Sequence, residues 1–318
     1  MLAYLAQRVG SFLPTLLGVS LVVFFAIRLV PGDAITATLG TEAGMLTATQ
    51  REALERYYGL DQPALKQYVV WITEALQGNL GMSIRYGQPV LKLIIERFPL
   101  TLELTFLAVV FALGIGIPVG LLAAVRRNSV FDVAGRLLSL LGLALPNFLV
   151  GTLIIYTLSV VFGVLPTAGN YAGLFEDPWK NLQQLFFPAL TLGFAFSASV
   201  MRMTRSSMLE VLGEDYVRTA RSKGLSERRV INRHALRTSL IPVVTLLGVE
   251  IGYLLGGAFI VEQLFALPGL GRLTVNAVSQ REYALVQGAA VFIAANVVLI
   301  NLLVDLLYAV IDPRITYE

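Results

Sequence analysis

Six long apolar runs, separated by polar and charged segments, set the pattern of this chain. They cover Val9 to Ile27, Leu104 to Val125, Leu137 to about Gly163, Leu185 to Met201, Thr238 to Val261 and Tyr283 to Val304. Only the fifth contains a charged residue, Glu250. A bilayer core of about 30 Å takes about 20 apolar residues in a helix. Backbone polar groups cannot stay unpaired in lipid, which leaves helices or a closed barrel. Barrel strands alternate apolar and polar positions over about ten residues, and these runs do not. The pattern therefore predicts an all-α integral membrane protein with six transmembrane helices. The first run exceeds the apolar stretch of a cleaved signal peptide, and no small-x-small site follows it before Pro31, so it reads as a retained helix.

The connections carry their own periodicity. Between the first two spans, Val30 to Pro99 predicts three short helices: Thr49 to Tyr58, Pro63 to Gln77 and Val90 to Arg97. The second has Pro at its start, Gly78 beyond its end, and Leu65, Tyr68, Val69, Ile72 and Leu76 at helical spacing. This segment reads as a helical cap, and it is open as a docking surface for a partner outside the cell. Glu262 to Glu282 contains Pro268-Gly269-Leu270-Gly271, a turn signal whose apolar flanks should tuck back into the membrane face.

Charge adds orientation. Among 318 residues only 14% are charged, against about 25% in soluble domains. The basic residues sit at span edges: Arg126, Arg127 and Arg136 after span two, and nine between spans four and five. By the positive-inside tendency these sides face the cytoplasm, and so do both termini. Such clustering reflects topology, not nucleic-acid binding. Absence of cysteine excludes disulfides and thiolate chemistry, and the single His234 cannot build a multi-histidine metal site.

The basic loop, 202–237, is more than a topology signal. Met208 to Ser222 can form an amphipathic helix with Leu209, Leu212, Tyr216 and Ala220 near one face. Gly224 permits a sharp exit, and Ser226 can cap a second helix. Two short helices meeting at a glycine would make a knob that fits a partner's groove. Inside the membrane, Glu250 carries an insertion cost of about 2.5–3.5 kcal/mol, so it must face a pathway or a polar partner, or be protonated. Both a substrate or gating role and a buried structural role stay open for it. Gly248, Gly252 and Gly256 recur at four-residue spacing, a pattern that permits close helix packing. Glu103 and Asp305, near span ends, read as structural, capping or pairing with loop arginines.

Tyr216-Val217-Arg218-Thr219-Ala220-Arg221-Ser222-Lys223-Gly224-Leu225 resembles the cytoplasmic loop of binding-protein-dependent ABC importer permeases, closest to the dipeptide/oligopeptide/nickel branch. The broader pattern has Glu-Ala-Ala where this chain has Arg218-Thr219-Ala220, a departure shared with the peptide branch. Pro31-Gly32-Asp33, Gly59-Leu60-Asp61-Gln62-Pro63, Gly78-Asn79-Leu80-Gly81, Arg97-Phe98-Pro99, Pro268-Gly269-Leu270-Gly271, Asp305-Leu306-Leu307-Tyr308 and Asp312-Pro313-Arg314 are similar to that branch in order and spacing. The resemblance implies a type I ABC-importer transmembrane domain over 98–312, preceded by an N-terminal helix (1–30) and an extracytoplasmic helical loop (31–97). A cytoplasmic tail (313–318) follows. The resemblance implies coupling through Tyr216, Arg218, Thr219, Ala220, Gly224 and Leu225, with Pro268, Gly269, Gly271, Asp305, Asp312, Pro313 and Arg314 as structural motifs; Glu250 is a pathway candidate on its insertion cost alone.

The implied partners are a second related permease subunit, two cytoplasmic ATPase subunits, a solute-binding protein and the lipid bilayer of a prokaryotic inner membrane. The solute would be a di- or oligopeptide or a related small molecule. This chain has no Gly-x-x-x-x-Gly-Lys-Ser/Thr loop, so ATP and magnesium belong to the partners and the chain is a transport subunit, not an enzyme. Two other classes fit the sequence less well. A gradient-driven secondary transporter often shows internal repeats and several intramembrane charges, and here only Glu250 is present. An intramembrane hydrolase needs a nucleophile–base pair within the spans, and the sole histidine lies in the loop.

Overall fold

A computed structural model describes residues 2–29, 35, 44–57, 61–166 and 169–311. The motifs at Pro31-Gly32-Asp33, Gly59-Leu60 and Asp312-Pro313-Arg314 lie outside these residues, as does the side chain of Asp305. The described residues are helical almost throughout. In order come α1 (Leu2–Leu29), α2 (Ala48–Tyr57), α3 (Ala64–Leu76), a hairpin of β1 (Met82–Ser83) and β2 (Gln88–Pro89), and α4 (Val90–Val125). Then follow α5 (Val130–Ala144), α6 (Asn147–Phe162), α7 (Pro178–Val211), α8 (Asp215–Ser222) and α9 (Glu227–Arg229). A π-helical turn (Val230–Ala235) leads to α10 (Leu236–Ser239), α11 (Ile241–Leu264), α12 (Leu270–Ser279) and α13 (Tyr283–Ile311).

Five of these helices are long and apolar enough to cross a bilayer: α1, α4, α7, α11 and α13. The third predicted span is not one helix. It divides into α5 and α6, bent by 103°. Leu145 precedes Pro146, and the pyrrolidine ring drives the residue before it out of the helical region. Leu145 accordingly has φ −88 and ψ 123. An uncharged run conceals such a break because hydropathy does not register a proline. The predicted short helix Val90 to Arg97 is likewise the first part of α4, which continues through Pro99.

The chain divides into two compact units: Met1–Leu100 with Pro268–Leu299, and Thr101–Leu267 with Ile300–Thr316, each in its described parts. In the second unit α7 is the central post. Two-thirds of its apolar window is buried, against 28% or less for the other spans. It packs on α5, α6 and α11. Lipid tails are as apolar as leucine, so helices in a membrane gain from close backbone packing and not from escaping water. Glycines supply that closeness here. A Cβ at Gly193 on α7 would lie 2.5 Å from the Ala108 carbonyl oxygen on α4, and one at Gly120 on α4 would lie 2.6 Å from the Met201 carbonyl oxygen on α7. At Gly256, by contrast, a Cβ would meet nothing within 4 Å. Close approach therefore falls on the α4–α7 seam, and also at Gly142 against Ala198 (2.6 Å) and Gly151 against Leu264 (2.5 Å), but not at Gly256.

In the first unit, Leu80, Val90, Ile94, Leu270, Leu285 and Ala289 form a buried cluster. The hairpin that precedes α4 was not evident from the pattern. Its residue Ser83 donates to Glu282 Oε2 (3.1 Å), and the Arg85 amide donates to Glu282 Oε1 (2.7 Å). On the far side of this unit, Phe24 of α1 meets Tyr68 of α3 edge to face at 5.2 Å, and the Ser20 and Tyr68 hydroxyls share a 2.9 Å hydrogen bond.

Candidate functional site

The predicted helix from Met208 to Ser222 is interrupted. Helix α7 runs through the polar positions Arg202 and Arg205 and ends at Val211, and α8 restarts at Asp215 after Gly213. The Val217 and Arg218 amides both donate to the Glu214 carbonyl at 3.1 Å, which starts the new helix without a side-chain cap. At its end the Gly224 amide donates to the Arg221 carbonyl (2.9 Å), and Gly224 takes φ +78. That left-handed conformation costs a residue with a Cβ about 1–2 kcal/mol and costs glycine nothing comparable. Ser226 stands at the N-cap of α9, but its hydroxyl makes no cap bond; its carbonyl accepts from the Arg229 and Val230 amides instead.

Two faces result. Val217 and Ala220 are buried with Met208, Val211, Val230, Ala235 and Ala124. Leu209, Leu212 and Leu225 pack partly against that cluster. Tyr216, Arg218, Thr219 and Gly224 stay exposed. The helical face expected to carry Tyr216 inward thus carries Val217, because the break at Gly213 resets the phase. Of the six expected contact residues, Ala220 and Leu225 anchor the elbow and the other four lie at its surface.

A bidentate ion pair bridges the glycine turn. Arg221 donates to Glu227 through Nη2 (2.7 Å) and Nε (3.1 Å). These hydrogen bonds hold the Glu227 carboxyl below the ordinary glutamate range. Arg218 pairs with Asp215 at 2.9 Å and reaches the Gly213 carbonyl at 3.3 Å. The elbow is therefore a set piece: an apolar underside, a glycine corner and a crosslinked pair of short helices.

A second polar device lies in the same unit. Asp132, near the start of α5, is fully buried. It accepts from Arg205 Nε (2.6 Å) and Nη2 (3.2 Å) and from the Asn128 amide (2.9 Å), and Arg136 stands at 3.5 Å. Asn128 adopts φ +62, a conformation asparagine tolerates better than most. Arg205 of the long helix is thereby fastened to the α4–α5 connection. Sequence reading passed over Asp132, although Ser129-x-x-Asp132 before an apolar run is a capping signature.

Within the membrane-spanning part, Glu250 lines an open cavity of about 210 Å³ together with Asn147, Ser199, Tyr253, Phe196 and Leu192. Asn147 is the first residue after the α5–α6 break, and its Oδ1 is buried without a hydrogen-bond partner among the described residues. Among the described residues Glu103 pairs with no arginine; it accepts from the Tyr171 hydroxyl (3.2 Å) and Asn181 Nδ2 (3.3 Å). Glu262, which carried no expected role, is fully buried and accepts from Thr101 Oγ1 at 2.5 Å. The sharp turn near Pro268 sits at Ala266, which takes φ +56, while the Leu267 amide donates to the Glu262 carbonyl (2.8 Å). Gly269 then caps α12 in an extended conformation, Gly271 is buried in its first turn, and the Pro268 carbonyl accepts from Arg97 (3.3 Å).

Comparisons with known proteins place this architecture. Residues 116–317 match the family described as "Binding-protein-dependent transport system inner membrane component", and residues 1–105 match its N-terminal companion. The chain is 40% identical over 340 aligned positions to the dipeptide transport system permease protein DppB of Escherichia coli (strain K12), covering all of both chains. It is 42% identical over 318 positions to the glutathione transport system permease protein GsiC of Escherichia coli O6:H1, again over the full length of each. A solved structure titled for inward-facing conformations of the MetNI methionine ABC transporter aligns with TM-score 0.55 at 17% identity. That alignment covers 69% of this chain and 96% of that one. At that identity the likeness establishes the fold.

Proposed function

Because this chain belongs to the binding-protein-dependent transport-system inner-membrane family, whose members are permease subunits of ATP-driven importers, we propose that its 202–237 segment is the coupling element to separate ATPase subunits. The observation that carries this reading is the corner at Gly224, with α8 and α9 crosslinked by Arg221 and Glu227 over a buried apolar base. A knob so braced transmits a push from an ATPase groove into α7 across the short break at Gly213, and into α11 through the π-helical turn and α10. Tyr216, Arg218, Thr219 and Gly224 form the contact surface; Ala220 and Leu225 set it on the cluster. This is rigid-body gating, with access alternating across the membrane.

We assign the solute to the small peptides, on the strength of the two relatives' names. The complex then comprises a second permease, two ATPases that hold ATP and magnesium, and a solute-binding protein that docks outside. The transport domain covers 98–312, the outer helical loop 31–97, and the elbow and both termini face the cytoplasm. A gradient-driven transporter is not what these relatives favour.

Orientation is the direct test. The chain has no cysteine, so a single Ser222→Cys on the exposed side of α8 reports without background. A membrane-impermeant maleimide should label it in inside-out vesicles and not in right-side-out vesicles, and bound ATPase should shield it. Labelling from the outer side refutes the coupling assignment.

A further inference from the structure

The cavity beside Glu250 is lined by one carboxylate and by no lysine, arginine or histidine. Glu250 offers a carboxylate and makes no hydrogen bond or ion pair among the described residues. Asn147 Oδ1 is a second acceptor, buried and unpaired. Unsatisfied buried acceptors are expensive, and native proteins retain them where a ligand or partner supplies the donor. An intramembrane carboxylate facing lipid is costlier still. At the nearby helix end Pro146 has no N–H, and the Leu149 and Val150 amides are spent on the Pro146 carbonyl (3.0 and 3.2 Å).

A carboxylate with no cation in the lining, beside a second unpaired acceptor, calls for a donor-rich cation. A metal ion is a poor fit, because no group of three His, Cys, Asp or Glu exists among the described residues. The cavity, about 210 Å³ and open on one side, has room for several waters or for a group of amino-acid size. A primary ammonium carries three N–H donors and one charge. We propose that this cavity, created by the α5–α6 break, is a transit subsite for the α-ammonium of the peptide: Glu250 neutralises the charge and Asn147 Oδ1 takes a second N–H. The proposal rests on the peptide reading given above and deepens it. The break at Leu145-Pro146 acquires a purpose, since it lets Asn147 meet the cavity across from α11.

The test uses the complete importer, purified with its partner subunits and binding protein and reconstituted in proteoliposomes. The probes are dialanine and N-acetyl-dialanine, and the readout is solute accumulated per ATP hydrolysed. The native complex should favour the free amine. Glu250→Gln should lower dialanine moved per ATP about tenfold, the worth of a charge-assisted hydrogen bond, with Glu250→Asp recovering much of it. Asn147→Leu, which leaves the carboxylate in place, should lower it about threefold and carries the test if Glu250→Gln does not assemble. In both variants the preference for the free amine should collapse. Equal losses for the two probes would mark a structural lesion and overturn the subsite, as would unchanged uptake. A native complex that moves neither peptide overturns the peptide reading itself.

Discussion

The glycine corner yields the sharpest quantitative expectation. At Gly224 a Cβ would meet nothing within 4 Å, and φ is +78. Steric overlap with neighbours is therefore absent, and any effect of substitution is torsional. Alanine should cost about 1–2 kcal/mol there, and a β-branched valine more, since its branched Cβ crowds the following carbonyl. A difference of about 1.4 kcal/mol is tenfold in population. Valine should thus deplete the bent elbow by about tenfold or more, pulling Arg221 away from Glu227. Asparagine, which visits the left-handed region readily, should stay close to native. The assay is simultaneous ATP hydrolysis and solute uptake by the reconstituted importer. Gly224→Val should keep hydrolysing ATP while solute moved per ATP falls about tenfold, with Gly224→Ala between. Native coupling in Gly224→Val would refute the reasoning. Equal damage from valine and asparagine would show that space, not backbone angle, is what the partner requires.

Two further expectations separate packing from polar fastening. Gly193→Ala places a methyl 2.5 Å from a backbone oxygen and should destabilise the purified chain by about 1–3 kcal/mol in thermal unfolding, whereas Gly256→Ala, with open space, should leave the isolated chain's melting unchanged. Asp132→Asn leaves a partly exposed Arg205 facing a neutral partner and should cost about 1.5–3 kcal/mol, read as a lowered melting temperature of the assembled complex; a shift under about 1 kcal/mol would make the Asp132–Arg205 pair incidental.

The spans and the elbow were legible before any coordinates, for different reasons. Runs such as Leu104 to Val125 are long, uncharged and continuous, and lipid permits such runs only one backbone solution. Gly224 was legible because a glycine between two amphipathic stretches has few other uses. The break at Leu145-Pro146 was in plain sight but lost inside an apolar run, since hydropathy is blind to backbone restriction. Asp132 was overlooked for the opposite reason. Its capping pattern is visible, but its partner Arg205 lies 73 residues away. Burial phase on α8 failed because Gly213 restarts the helix and turns Val217 inward in place of Tyr216.

Membrane residence, five of the six apolar crossings, the position of the corner and the presence of one costly intramembrane carboxylate are properties of the sequence alone. They follow from local rules: transfer cost, backbone pairing and the conformational freedom of glycine. Which glycines bear the helix packing, which arginine holds Asp132, and that Asn147 and Glu250 share a cavity were settled only by tertiary structure. Those relations join residues far apart in the chain, and nothing in local propensity encodes the distance between two helices once folded.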